Sequence, residues 1–240
     1  MPFYYGFDWT YIVILLPCVI ISVWASSNVN NTFKRYSKQL SMRRISGAEA
    51  ARQVLALHGI WNVRIDRVSG NLSDHYDPKA NIIRLSQDVY DGTSTAAIGV
   101  ACHEAGHAIQ YAQDYFPIRI RSAVIPVTNI GSKLAMPLII LGILFSSFAD
   151  VSYFLVDLGI ICFSFSLIFQ LITLPVEFNA SRRAMLAITQ SQILTHDEQE
   201  GARKTLRAAA LTYVAATIVA AAQLLRLILL FGGRGRSRRN

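Results

Sequence analysis

His103 and His107 stand four residues apart, with Glu104 between them, in the run His103-Glu104-Ala105-Gly106-His107. On an α-helix of about 3.6 residues per turn, positions four apart lie about 40° apart around the axis, so both imidazoles can grip one metal ion from the same face. Glu104 falls beside that site. A carboxylate that is not itself a ligand can there take the proton from water as the water attacks an amide carbonyl. Two imidazoles and an oxygen ligand favour zinc, with cobalt, manganese and iron as rivals for the same donors. The pattern is short and arises by chance in unrelated chains, so its surroundings decide its weight. Ala101, Ala105 and Ala108 are small neighbours, and two of the five histidines in the chain lie in this one run. Two buried histidines without a metal would each need a separate hydrogen-bond partner. Gly106 costs a helix about 1 kcal/mol relative to alanine, which points to close approach of another backbone or of substrate.

Catalytic zinc takes three protein ligands and leaves a position for water, so a third ligand must come from elsewhere. Glu177, in Leu174-Pro175-Val176-Glu177-Phe178-Asn179-Ala180-Ser181-Arg182-Arg183, is a lone acid directly after an apolar run; its alternative role is to pair with Arg182 or Arg183. His75, in the turn-rich Ser73-Asp74-His75-Tyr76-Asp77, and His196, in the capping-box spacing Thr195-His196-Asp197-Glu198, are rival ligands. Tyr213, Arg182, Arg183 and His196 are all candidates to stabilise a developing oxyanion.

Several elements must position these groups. Ser46-Gly47-Ala48-Glu49 has capping-box spacing, so a helix is expected from there to about Leu57, with Gly59 ending it. Residues 63–68 alternate apolar and charged as a half-buried strand does, and 81–85 offer a second strand, with turn signals at Ser69-Gly70-Asn71 and Asp77-Pro78 between them. An extended substrate could add to the strand near Ile82 to Leu85. Thr93-Ser94-Thr95 supplies cap candidates for the helix that carries the two histidines and runs to about Gln113.

The 240 residues are 52% hydrophobic and 16% charged, with a mean hydropathy of +0.35, which is too apolar for an ordinary soluble domain. Three scattered cysteines, with no Cys-x-x-Cys pair, argue against a disulfide framework and against a thiolate zinc site. Apolar runs at about 9–25, 134–148 and 152–174 read as an anchor and a helical hairpin turning at Ala149-Asp150-Val151. The run at 211–231 contains Arg226 and precedes a basic tail, so it reads either as a span or as a tilted, partly interfacial helix. The net charge of +8 is distributed in clusters that flank these runs, which fits anionic lipid and not a nucleic-acid groove. Lys34, Arg35, Lys38, Arg43 and Arg44 follow the first run, so the positive-inside rule puts Met1 outside and the following residues in the cytoplasm.

The expected organisation is a transmembrane anchor (1–25), a cytoplasmic catalytic domain (26–133), a transmembrane hairpin (134–175), a return segment carrying the third ligand (176–210) and a carboxyl-terminal membrane or interfacial helix with a basic tail (211–240). The fold class is a mainly α membrane protein of three to four transmembrane helices with a small α+β domain, multi-pass in the plasma membrane.

The chain resembles the neutral zinc metallopeptidases, small bacterial membrane proteins, along its whole length. The resemblance is carried by His75-Tyr76-Asp77-Pro78 with Ile83-Arg84-Leu85-Ser86, by Ala101 to Gln110, by Leu174 to Ala184, and by Gly201-Ala202-Arg203-Lys204 with Ala208 to Ala216. It is similar, more distantly, to the heat-shock membrane endopeptidases and the CAAX prenyl endopeptidases. These likenesses imply a zincin-like, gluzincin-type domain and a membrane endopeptidase with one zinc per chain, in which Glu177 joins His103 and His107 and Glu104 is the general base. The implied partners are the bilayer and a peptide or membrane-protein substrate, with no nucleic acid. The rival reading is a catalytically inactive, metal-binding membrane scaffold. The chain departs from the related patterns at Asn179 and Ser181, where an acid is often found; an aspartate there could orient a zinc-bound histidine through its ring N–H, and asparagine does so less strongly.

Overall fold

The computed structural model describes residues 11–70 and 73–232, so the basic residues after 232 and the first residues of the amino-terminal run lie outside the described part. In chain order the elements are a short π-helical turn (Tyr11–Leu15) leading into α1 (Leu16–Tyr36), then α2 (Gly47–Leu57), β1 (Arg64–Val68), β2 (His75–Asp77), β3 (Ile82–Ser86), α3 (Gln87–Tyr90), α4 (Thr95–Ala112), α5 (Phe116–Leu144), α6 (Ala149–Gln190) and α7 (His196–Phe231). The protein is mainly helical. Among the described residues, four helices are long and apolar enough to cross a bilayer: Ile12–Tyr36, α5, α6 and α7. The chain divides into two compact units, one of residues up to Trp24, Arg121–Ile172 and from Tyr213 onward, the other of Ala25–Ile120 and Thr173–Thr212.

In the first unit α5 and α6 form the expected hairpin, but the turn falls at residues 145–148 and not at 149–151. Phe145 and Phe148 made the turn look like membrane sequence. Glycines on both arms let the helices close up. A side chain at Gly142 would lie 3.0 Å from the Ser152 carbonyl oxygen, and one at Gly159 would lie 2.9 Å from that of Ala135. Ser152 Oγ donates to the Gly142 carbonyl at 2.6 Å, satisfying a hydroxyl that the apolar surroundings would otherwise strand. Arg226 is buried on α7 in this unit.

The second unit is built around α4. Fourteen of its eighteen residues are buried, including Ile98, Cys102, Ala105 and Ile109, so α4 is a central helix with no solvent face. Val54 and Leu55 of α2, Ile83 and Leu85 of β3, Ile188 of α6 and Leu206 of α7 complete this core. Each such aliphatic side chain contributes about 1.5–3 kcal/mol by leaving water. Ser94 caps α4 through Oγ, which accepts from the Ala97 N–H at 3.2 Å. Ser46 caps α2 in the same way, accepting from Glu49 N–H, but the reciprocal half of the box is absent because the Glu49 carboxylate is taken by Arg52 at 2.6 Å. The box at Thr195 and Glu198 is complete, and the second carboxylate oxygen of Glu198 accepts from Met42 N–H at 2.7 Å, tying the start of α7 to the segment after α1.

The sheet has the order β1-β3-β2, with β1 parallel and β2 antiparallel to β3. β3 is therefore the central strand and has no edge to offer a substrate, contrary to expectation. β2, which the sequence presents as part of a turn, is one of the two outer strands, with β1 the other.

Candidate metal centre

α4 presents His103 and His107 toward α6, where Glu177 meets them. Glu177 Oε2 lies 3.3 Å from His103 Nε2 and 3.5 Å from His107 Nε2. A tetrahedral ion bound at about 2.0–2.1 Å sets its ligand atoms about 3.3–3.4 Å apart, so the Glu177 oxygen already stands near zinc-ligand separation from each imidazole nitrogen. All three donors lie within 4.8 Å of one another, and Glu177 and His107 are buried. The approach of the two helices that makes this possible is visible at Gly106. A Cβ there would come within 2.6 Å of the Ala180 carbonyl oxygen of α6, so another backbone, and not substrate, occupies the space that the missing side chain leaves.

The far nitrogen of each imidazole is also held. Gln110 Oε1 faces His107 Nδ1 at 3.0 Å, so the ring donates from Nδ1 and keeps the Nε2 lone pair toward Glu177. Gln110 is itself fixed, because its Nε2 donates to the Val176 carbonyl at 2.8 Å and to Asn179 Oδ1 at 3.0 Å. Asn179 in turn accepts from Arg183 Nε at 2.7 Å. His103 Nδ1 meets Ser181 Oγ at 3.1 Å. The two residues that depart from the related patterns thus enter the site differently: Ser181 touches a histidine directly, and Asn179 acts through Gln110. Gln110 was given no role from sequence, although its spacing of three from His107 on one helix was the available signal.

Glu104 is buried beside this cluster, and burial pushes its carboxyl up to about 7, while His103 and the Tyr76 backbone N–H pull the other way. A cation held by the three donors would further favour the charged form. Burial would also raise Glu177, but the two imidazoles that face its carboxylate outweigh it and hold that carboxyl well below the usual range.

The two rival ligands are exposed. His75 is exposed on β2, its Nδ1 2.8 Å from the Ser73 carbonyl. His196 is fully exposed at the start of α7. Arg183 is committed to Asn179, to Gln113 Oε1 at 2.5 Å and to the ring of Tyr115. Arg182 is exposed, and Tyr213 falls in the other compact unit.

Residues 11–232 match the model of the family described as "Putative neutral zinc metallopeptidase". The chain belongs to this family. Among curated relatives, the "Putative membrane protease YugP" of Bacillus subtilis (strain 168) is 42% identical over 221 residues, covering 92% of this chain and 96% of that protein. No solved structure matches. The family's characteristic metal is zinc, and the donor set described above fits it in type and number. The motif residues outside the metal cluster also acquire places. His75, Tyr76 and Asp77 pair with Arg84, Ile83 and Ile82, and the Asp77 carboxylate bridges Arg84 at 2.8 Å and the Lys79 N–H at 3.0 Å, which shapes the β2–β3 turn. These motif residues therefore build an outer strand and its turn.

Proposed function

We propose that this metallopeptidase is a membrane-bound zinc endopeptidase that hydrolyses peptide bonds of membrane-associated or unfolded proteins. The observation that carries the reading is the convergence of His103 Nε2 and His107 Nε2 on Glu177 Oε2 near zinc-ligand spacing, with the buried carboxyl of Glu104 alongside. One zinc per chain would be held by His103, His107 and Glu177 in a zincin-like, gluzincin-type arrangement, and when bound it supplies Lewis acidity toward a peptide carbonyl and an attacking water.

The remaining chemistry belongs to the chain. Glu104, buried beside the three donors, takes the proton from the attacking water on a carboxylate oxygen and delivers it to the departing amine. Gln110 and Ser181 keep the two imidazoles in the ring orientation that leaves Nε2 free. The sheet edge suited to an extended substrate is β2, whose Tyr76 N–H faces Glu104. A cytoplasmic site at the plasma membrane is supported by the basic cluster Lys34, Arg35, Lys38, Arg43 and Arg44.

The deciding experiment compares metal content and cleavage of an unfolded, membrane-tethered substrate for wild type, Glu104→Gln and Glu177→Ala. Wild type should carry about one zinc and cleave. Glu104→Gln should keep the zinc and lose at least about 100-fold in kcat. Glu177→Ala should lose zinc and activity together. Zinc-loaded wild type without cleavage, together with full biological activity in Glu104→Gln, would overturn the reading in favour of a metal-binding scaffold.

A further inference from the structure

Behind the metal cluster, α6 and α7 enclose a cleft of about 300 Å³, at the small end of ligand-sized cavities. Its floor is apolar, with Phe178 and Met185 from α6 and Leu206 from α7, and its rim is cationic, with Arg182, Arg203 and Arg207. Phe178 is 50% exposed, an unusual position for a large aromatic ring beside three arginines. The rim charge is not neutralised. Arg203 shares Glu200 with Lys204 at 3.2 Å, whereas Arg182 and Arg207 make no hydrogen bond or ion pair among the described residues. Both walls run directly into apolar sequence. On α6 the cleft begins at Phe178, four residues after the run that ends at Leu174, and on α7 it ends at Leu211, where the next run begins.

A ligand that satisfies this cleft must bring an anion to two guanidinium forks and apolar atoms to the floor, at the level where an apolar helix gives way to polar sequence. An anionic phospholipid has that order of parts. We propose that the cleft binds one such lipid, its phosphate between Arg182 and Arg207 and its first methylenes on Phe178, Met185 and Leu206. The site is independent of the peptidase reading. It adjoins the metal centre through Ser181, which lines the cleft and holds His103 Nδ1 at 3.1 Å.

Native mass spectrometry of the full-length protein in detergent tests the site, with phosphatidylglycerol and phosphatidylcholine as probes. The wild type should retain one phosphatidylglycerol per chain, at least roughly 10-fold more tightly than phosphatidylcholine, and Arg182→Ala with Arg207→Ala should abolish the difference. A control that removes equal charge from another juxtamembrane stretch, Lys34→Ala with Arg35→Ala, should leave it intact. Equal retention of the two lipids, or equal loss in the control, would overturn the proposal. So would displacement by an alternating Glu-Leu peptide that depends on Arg182 and Arg207 while phosphatidylglycerol has no effect, which would assign the cleft to an acidic segment of protein. Circular dichroism of both double variants checks that each is folded.

Discussion

At the scale of single residues, the candidate metal centre is a pair of imidazoles and a carboxylate, and the imidazoles are held from behind. Gln110 has no access to solvent and makes three contacts at once, to His107, Val176 and Asn179. Its replacement by alanine removes the acceptor from His107 Nδ1 and leaves the Val176 carbonyl and Asn179 to find other partners. Gln110→Ala should lower zinc affinity by roughly 10–100-fold with the helix intact, which competition with a chromogenic chelator reads directly. Unchanged affinity would mean that His107 is held by packing alone. The histidine pair and Glu104 were legible in the sequence because helical spacing is a local rule. The role of Gln110 was not, because it rests on contacts 66 and 69 residues away. Glu177 was one of three candidates on residue type, and the separation from His75 and His196 comes from tertiary placement.

At the scale of elements, the close crossing of α4 and α6 sets the distance between ligands that come from different helices. Gly106→Ala opposes two effects of known size. Alanine favours the helix by about 1 kcal/mol, while a methyl group against the Ala180 carbonyl forces the helices apart at a cost of typically 1–3 kcal/mol. A Cβ at 2.6 Å from backbone has no flexible neighbour to push aside, so the clash wins. The variant should melt at lower temperature than wild type and bind zinc more weakly. A rise in melting temperature would refute the tight crossing. Ser94→Ala, at the start of the same helix, should cost about 1 kcal/mol in denaturant titration without any change in metal affinity, because the cap lies more than two turns from His103. The element boundaries show what local signals miss. β2 has only three residues and little apolar content, so its existence depends on pairing with β3. The hairpin turn was misplaced because Phe145 and Phe148 carry no turn chemistry, and α5 begins at Phe116 because Arg119, Arg121 and Lys133 are tolerated on a helix whose apolar run starts later.

At the scale of the whole molecule, composition and charge clusters identified a membrane protein, and four sufficiently long apolar helices agree. Periodicity could not show that the histidine helix is buried on all sides, since a helix with small residues all round gives little amphipathic contrast. A metal held by the three donors would join two helices far apart in the chain and act as a cross-link for the unit of Ala25–Ile120 and Thr173–Thr212. Free zinc at about 100 times its dissociation constant adds about 2.7 kcal/mol to the folded state. Chelation should therefore lower the melting temperature of wild type by several degrees, and leave that of the His103→Ala, His107→Ala double variant unchanged.

The order of ligands along the chain has a consequence for synthesis. His103 and His107 leave the ribosome long before Glu177, and the hairpin of α5 and α6 is translated in between. At roughly 5–20 residues per second, the nascent chain spends several seconds with two imidazoles and no third ligand. A polypeptide that stalls before α6 is complete cannot bring the three donors together.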